Sequence, residues 1–323
     1  MDLADIANFI KKADKELAVV SHTNPDGDAI GSTLALGLAL ENLGYNIQLI
    51  NQDNIPRIYS FLPGSDLIRT SFLYIPDTII FLDCSDITRA GAISGVISGL
   101  NKNIINIDHH ISNTFFGTLN YVDTKAGATG EIVYNLIKLL DCPINIEIAT
   151  CLYTAIVTDT GSFQFENTTE QTHTIAADLI SKGINLATIR RFLWESIPLK
   201  SVKLQRKLLD TLEVDETKKI AWVVLPYEIY KKYGSSFEHI EGFVNFPKSI
   251  EGVEIGLFFK EIEPNKVKVG FRSKSKVDVN KLAQKFGGGG HKRAAGCILE
   301  APLEEVIRQV VREAQKTIIK KGE

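Results

Sequence analysis

A chain of 323 residues, 44% of them hydrophobic, is long enough for one or two domains with a substantial core. A net charge of −3 is not the basic surplus of a protein that grips long nucleic acid, so at most a local basic patch is expected. No stretch approaches the ~18 consecutive apolar residues of a membrane span. Met1 to Ala13 mixes acids and lysines without the apolar centre of a secretory signal.

Taken in chain order, helix spacing over Asp2–Ala13 is followed by a strand at Leu17–Ser21 and an Ala/Leu-rich helix at Ala29–Leu43, stopped by Gly44 as its C′ residue. Strands are predicted at Ile47–Asn51 and Thr78–Leu82, a helix at Arg89–Leu100 and a strand at Asn103–Ile107. This alternation predicts an α/β fold with a parallel, doubly wound sheet. Helices follow at Thr129–Leu140, Ile146–Val157, Thr169–Lys182 (capped by Thr168 or Thr169 and stopped by Gly183), Leu186–Trp194 and Leu199–Leu212. Beyond them come a strand at Ile220–Leu225 and a hairpin, Val253–Lys260 with Lys266–Arg272, turning at Glu263-Pro264-Asn265. A short helix at Val279–Phe286 precedes Gly287-Gly288-Gly289-Gly290-His291, and a helix from Leu303 to Lys316 closes the chain. The domains are therefore read as 1–185, a helical linker over 186–215, and a smaller α+β domain over 216–323. Lys316, Lys320 and Lys321 read as a solvated end, Arg190-Arg191 as a solvated helix face, and Trp194 and Trp222 as packing residues.

Cys84, Cys142, Cys151 and Cys297 form no C-x-x-C pair and match no zinc ribbon, so they read as buried thiols in a reducing, cytoplasmic setting. Cys84, beside Asp83, is open to oxidation but is not read as a nucleophile.

Three polar clusters end apolar runs: His22-Thr23-Asn24-Pro25-Asp26-Gly27-Asp28, Asp83-Cys84-Ser85-Asp86 and Asp108-His109-His110. In an open α/β sheet the ligand lies beyond the carboxyl ends of the strands, so these side chains converge on one edge. Taken singly, each has a plainer account: Asp26-Gly27-Asp28 as a turn capping the next helix, His109-His110 as surface residues, Asp159 as a turn residue. Together they point to a cation, because packed acids without one repel. Carboxylates and imidazoles without thiolates suit Mn²⁺, Mg²⁺ or Fe²⁺. Asp159, where an apolar helix breaks at Gly161, is the best further acid. Asp26, Asp28, Asp83 and Asp159 carry four negative charges, with His22 and His109 neutral; two divalent ions balance them. The expectation is two ions roughly 3.5–4 Å apart, bridged by Asp83 and a hydroxide.

These motifs, with Thr158-Asp159-Thr160-Gly161, resemble the four motifs of the DHH phosphoesterase superfamily. Phe271-Arg272-Ser273 and Gly287-Gly288-Gly289-Gly290-His291-Lys292-Arg293-Ala294-Ala295-Gly296 resemble its associated C-terminal module. The layout is most similar to the branch of bifunctional oligoribonucleases (nano-RNases) and pAp phosphatases. The resemblance implies a catalytic first domain, a substrate-binding last domain and a two-manganese site. His22, Asp26 and Asp83 would hold one ion, and Asp28, Asp83, His109 and Asp159 the other. His110 would face the scissile phosphate, with Asp108 orienting the histidines. Gln164 stands where many relatives carry a basic residue.

The expected chemistry is in-line phosphoester hydrolysis by the metal-bridged hydroxide, with no covalent intermediate and with Ser32 and Ser85 as turn or cap residues. The glycine run is expected to form an anion nest from successive amides. Arg272, Ser273, Gly288, Gly289, Gly290, His291 and Arg293 are the expected substrate-binding set, gripping the far end of a short oligoribonucleotide or of 3′-phosphoadenosine 5′-phosphate (pAp) in a cleft bounded by both domains. The alternatives are a phosphodiesterase of cyclic di-AMP or pApA, an inorganic pyrophosphatase and a non-catalytic nucleotide-binding module. A homodimer is compatible with the sequence.

Overall fold

The computed structural model describes residues 2–233 and 243–319. They form two compact units that divide between Ser196 and Ile197.

In the first unit, α1 (Leu3–Lys12) opens on a capping box at Asp2. It leads to β1 (Glu16–Val20), α2 (Gly27–Asn42), β2 (Asn46–Ile50), β3 (Ile68–Arg69), β4 (Thr78–Leu82), α3 (Ala92–Ile97), β5 (Asn103–Asp108) and β6 (Leu119–Val122). Four helices follow: α4 (Thr129–Leu139), α5 (Ile146–Asp159), α6 (Glu170–Ser181) and α7 (Leu186–Trp194). The strands run in the order β3-β2-β1-β4-β5-β6, and every pairing is parallel. The order reverses between β1 and β4, the switch point at which such sheets open a crevice beyond their strand ends.

Alternation divides the strands between two cores. Leu17, Val19, Ile80, Leu82, Ile105 and Ile107 face the helices that include α2, α4 and α5, while Ala18, Val20, Ile79 and Phe81 face the side covered by α3. All five residues of β4 are buried, as its continuous β-branched and aromatic run requires.

The structure corrects several sequence expectations. The helix predicted over Arg89–Leu100 is split into a 3-10 turn, Ile87–Ala90, and α3, because Gly91 adopts φ +63 between them. Helix α2 begins at Gly27 rather than Ala29, because the Asp26 carboxylate accepts the amides of Asp28 and Ala29. Helix α5 continues to Asp159, and the two-residue β3 and the edge strand β6 carried too little apolar pattern to be read. Trp194 is 44% exposed at the end of α7, not packed, whereas Trp222 packs against the core of the second unit.

The second unit comprises α8 (Leu199–Leu209), β7 (Glu213–Val214), β8 (Ile220–Leu225), α9 (Tyr227–Tyr233), α10 (Phe246–Ser249), β9 (Ile255–Glu263) and β10 (Lys266–Ser273). It ends with α11 (Val279–Gln284), β11 (Gly289–Gly290), β12 (Ala294–Glu300) and α12 (Leu303–Ile319). The sheet order is β11-β12-β10-β9-β8-β7, antiparallel except for β8 with β9. Asn265, at φ +62, makes the predicted hairpin turn. Phe259, Val269 and Phe271 pack with Val306, Val310 and Ala314 of α12. Lys316 pairs with Glu313, while Lys320 and Lys321 lie outside the described residues. Among the described residues no helix is long and apolar enough to cross a membrane.

Candidate metal centre

The polar clusters meet at the carboxyl ends of β1, β4 and β5. His22 follows β1, Asp83 follows β4 and His109 follows β5, so the parallel register of these strands sets them side by side. Asp83 adopts φ +55, a costly conformation for a non-glycine residue and one that turns its carboxylate into the crevice. Two acids arrive from helix ends: Asp28 in the first turn of α2 and Asp159 in the last residue of α5. They meet because the two helices touch closely. A Cβ on Gly27 would lie 2.3 Å from Thr158 Oγ1, and one on Gly31 would lie 2.5 Å from the Cys151 carbonyl oxygen.

Two ligand groups result. His22, Asp26 and Asp83 form one, and Asp28, His109 and Asp159 form the other; a third combination, Asp83 with His109 and His110, overlaps both, but its His110 Nδ1 is engaged by Asp108. Asp83 stands between them: its Oδ2 is 3.4 Å from His22 Nε2 and its Oδ1 is 3.7 Å from His109 Nε2. His109 Nε2 is also 3.5 Å from Asp159 Oδ2 and 3.9 Å from Asp28 Oδ2. The Nδ1 of His109 donates to the Ala126 carbonyl and that of His22 to the Thr23 carbonyl, so both rings turn Nε2 inward, where it offers a lone pair to an ion once it carries no proton.

The electrostatics call for positive charge. Burial, then the neighbouring Asp83 and Asp159 carboxylates, lifts the Asp28 carboxyl well above the usual range. Burial, outweighing the help of His109, pushes Asp159 up to about 7. Asp83 goes the other way: burial alone would raise it, but the His22 hydrogen bond and three imidazoles hold it well below an ordinary carboxylate. Burial alone would likewise lower His22, but Asp83 and Asp26 hold it above its ordinary value. The centre thus retains protons where four carboxylates crowd, and an all-oxygen and imidazole donor set of this kind fits divalent ions of the magnesium and manganese class.

Other side chains brace the ligands. Asp28 accepts the backbone amides of Thr129 and Gly130 at the N-terminus of α4 (2.6 and 2.9 Å) and the Ser32 hydroxyl (2.9 Å). The Thr129 hydroxyl donates to Asp83 Oδ1 at 3.1 Å. Asp108 is fully buried; it accepts His110 Nδ1–H at 2.7 Å and the Asn113 amide at 2.6 Å. Burial alone would lower His110, but Asp108 outweighs it and the imidazole is raised to about 9. Nothing local marked Thr129, Gly130 or Asn113 beforehand; Thr129 is 101 residues from the acid it serves. Cys84 is buried, its Sγ–H donates to the Asp86 carbonyl, and burial pushes its thiol up to about 12, so it supplies no nucleophile.

In the second unit Arg272, Gly289 and Gly290 line a cavity of about 450 Å³. The expected nest is not formed. The amides of Gly287 and Gly288 are spent on the carbonyls of Gln284 and Ala283, and Gly289 and Gly290 form β11 against β12. The glycines answer instead to close packing: a Cβ on Gly288 would lie 2.2 Å from the Gly296 carbonyl oxygen. Ser273 points to the core side and donates to the Val277 carbonyl, and Arg293 Nη1 donates to the same oxygen, so neither lines the cavity. His291 is exposed beside the glycine strand and outside the cavity wall. Gln164 is exposed on the turn after α5, and Arg190 pairs with Glu195 at the surface.

Residues 16–156 match the DHH family N-terminal domain and residues 219–320 match the DHHA1 domain. The chain is 32% identical to the "Bifunctional oligoribonuclease and PAP phosphatase NrnA" of Thermus thermophilus, over 98% of this chain and 94% of that protein. It is 30% identical to a "Probable bifunctional oligoribonuclease and PAP phosphatase NrnA" of Streptococcus mutans, over 88% of this chain and 90% of that one. The crystal structure of an exopolyphosphatase-related protein from Bacteroides fragilis superposes with a TM-score of 0.88 at 29% identity, covering 98% of this chain and 95% of that one. With both domains matched in order and full-length relatives at this identity, the chain belongs to the DHH family.

Proposed function

We propose that the protein is a phosphoesterase that hydrolyses short oligoribonucleotides and the 3′-phosphate of pAp. The observation that carries this reading is the meeting of six candidate ligand side chains at the ends of β1, β4, β5, α2 and α5, in two groups with Asp83 standing between them. The relatives' names supply the substrate class.

Two divalent ions, Mn²⁺ foremost, fit the donor set: His22, Asp26 and Asp83 would hold one, and Asp28, Asp83, His109 and Asp159 the other. Bound there, they supply Lewis acidity to activate water and to neutralise charge on the phosphoryl oxygens. The protein's own groups do the rest. Asp83 is held ionised by three imidazoles, as a shared ligand must be. Asp108 fixes the His110 Nδ1–H, which leaves Nε2 as the face offered to substrate; in the protonated form that Asp108 favours, His110 would donate to a phosphoryl or leaving-group oxygen. Catalysis in the first domain and substrate grip by Arg272 in the second complete the division of labour. Four separated, buried thiols are in keeping with a cytoplasmic setting.

The test is turnover by Mn²⁺-loaded protein of pAp, RNAs of two to five nucleotides, pApA, cyclic di-AMP and pyrophosphate. The first two are expected to be the best substrates. No hydrolysis of any short nucleotide would overturn the reading, and faster cleavage of cyclic di-AMP or pyrophosphate would reassign the substrate.

A further inference from the structure

Asp28, His109 and Asp159 make up one ligand group but come from three separate elements, α2, the end of β5 and α5. One short stretch of backbone, residues 126–130 at the start of α4, reaches two of them. The Ala126 carbonyl accepts His109 Nδ1–H at 3.2 Å, and the amides of Thr129 and Gly130 hold the Asp28 carboxylate at 2.6 and 2.9 Å. Asn167, in the connection between α5 and α6, joins the third member to the same strap. Its Nδ2 donates to the Gly127 carbonyl at 2.7 Å and lies 3.2 Å from the Asp159 carbonyl oxygen and 3.4 Å from Asp159 Oδ2. An amide nitrogen carries two hydrogens, so one serves the strap and the other is shared by the two oxygens of Asp159. Turned over, the amide would set its own oxygen against three acceptors, which fixes its orientation. Asp159 Oδ2 is also the oxygen 3.5 Å from His109 Nε2, so Asn167 grips the edge of the carboxylate that faces the other ligands.

The surroundings hold this pin and strap together. Thr169 and Thr172 form the capping box that opens α6, two residues beyond Asn167, and the Thr172 hydroxyl donates to the buried Glu131 of α4 at 2.5 Å. The strap has no room for a side chain at Gly127: a Cβ there would lie 2.6 Å from Glu131 Oε1 and 3.0 Å from the Asn167 carbonyl oxygen. The private ligands of the other group stand outside the arrangement. His22 Nδ1 is bound to the Thr23 carbonyl, and the Asp26 carboxylate accepts the amides of Asp28 and Ala29. We propose that Asn167 is a positioning residue for one ion alone, the one that Asp28, His109 and Asp159 would hold, because it locks Asp159 to the backbone that already fixes the other two. This deepens the two-ion reading above and rests on it. The affinities of the two ions are then set separately, one of them by a contact across 40 residues of chain.

The experiment is Mn²⁺ titration calorimetry of the full-length protein with Asn167→Ala in two backgrounds. His22→Ala leaves the group of Asp28, His109 and Asp159 whole, and Asp159→Ala leaves that of His22, Asp26 and Asp83 whole. In the His22→Ala background Asn167→Ala is expected to weaken Mn²⁺ binding about tenfold, as loss of a partner that orients a metal ligand does. In the Asp159→Ala background affinity should stay within about twofold, because the remaining ligands share no partner with Asn167; that retained affinity also reports a folded domain. With all six ligands present, Asn167→Ala should weaken one binding step and spare the other. Gly127→Ala, which forces the strap away from Glu131, should show the same asymmetry. Equal weakening in both backgrounds and in both steps, or no weakening in any, overturns the proposal. Wild-type protein that binds no Mn²⁺ would overturn the metal centre and this inference with it, whereas two wild-type ions indifferent to Asn167→Ala would overturn the inference alone.

Discussion

Replacing Thr129 by valine removes one hydrogen bond from the metal centre and almost nothing else. The side chain is fully buried and valine keeps its β-branched shape, so the change acts chiefly by removing the hydroxyl. The backbone amides of Thr129 and Gly130 still hold Asp28 at 2.6 and 2.9 Å. What is lost is the hydroxyl that donates to Asp83 Oδ1 at 3.1 Å. A hydrogen bond to a charged group contributes about 1.5–3 kcal/mol, or about 10- to 100-fold in an equilibrium constant. The same range holds for partners that orient metal ligands. Mn²⁺ affinity by titration calorimetry should therefore fall by about 10- to 100-fold in Thr129→Val, with kcat/KM at limiting metal falling in parallel. Thr129→Ser, which keeps the hydroxyl, should bind like wild type. Wild-type affinity in the valine variant would refute the claim that this hydroxyl fixes Asp83; an equal loss in both variants would show that packing, not the hydroxyl, matters.

Three further outcomes follow from the geometry. Asp83→Ala, which removes the carboxylate between the two ligand groups, should bind less than one equivalent of Mn²⁺ by elemental analysis and lose hydrolysis by orders of magnitude. Arg272→Ala should raise KM more than it lowers kcat, measured on RNAs of two to five nucleotides, if the cavity that Arg272 lines in the second unit grips the uncut end as proposed. With ions chelated, protonated His110 stabilises the fold fully below its ordinary 6.5 and loses that contribution as pH climbs through about 9, a change of up to about 3 kcal/mol. Urea unfolding across that window should show this decline in the wild-type protein and a flatter one in Asp108→Asn, whose His110 lacks the partner that raises it.

The candidate ligands were legible because their signals are local. His22, Asp83 and His109 each end a short β-branched run, and that pattern alone declares a buried parallel strand with a polar end. The motif Asp26-Gly27-Asp28 announced a helix start as well as a ligand pair, since one carboxylate oxygen of Asp26 caps α2 while the other faces His22. The glycine run in the second domain misled for the opposite reason. Gly-rich sequence marks backbone freedom but does not say what spends it, and here β12 takes it, closing against Gly288 and Gly290. Ser273 lost its expected role to strand alternation, which turns it inward one residue after Arg272 turns out.

By itself the amino-acid sequence determined the alternation of strand and helix, the two-domain order and the candidate metal-ligating side chains, because strand and helix periodicity and capping are encoded within a few residues. Only the tertiary structure decided how those side chains are held. Helices α2 and α5 approach through Gly27 and Gly31 to bring Asp28 to Asp159; the N-terminus of α4 supplies two amides and a hydroxyl to acids far away in the chain; and Asn167 ties Asp159 to the Gly127 carbonyl. Contacts between distant segments follow from how whole elements pack, and no local pattern of residues carries that information.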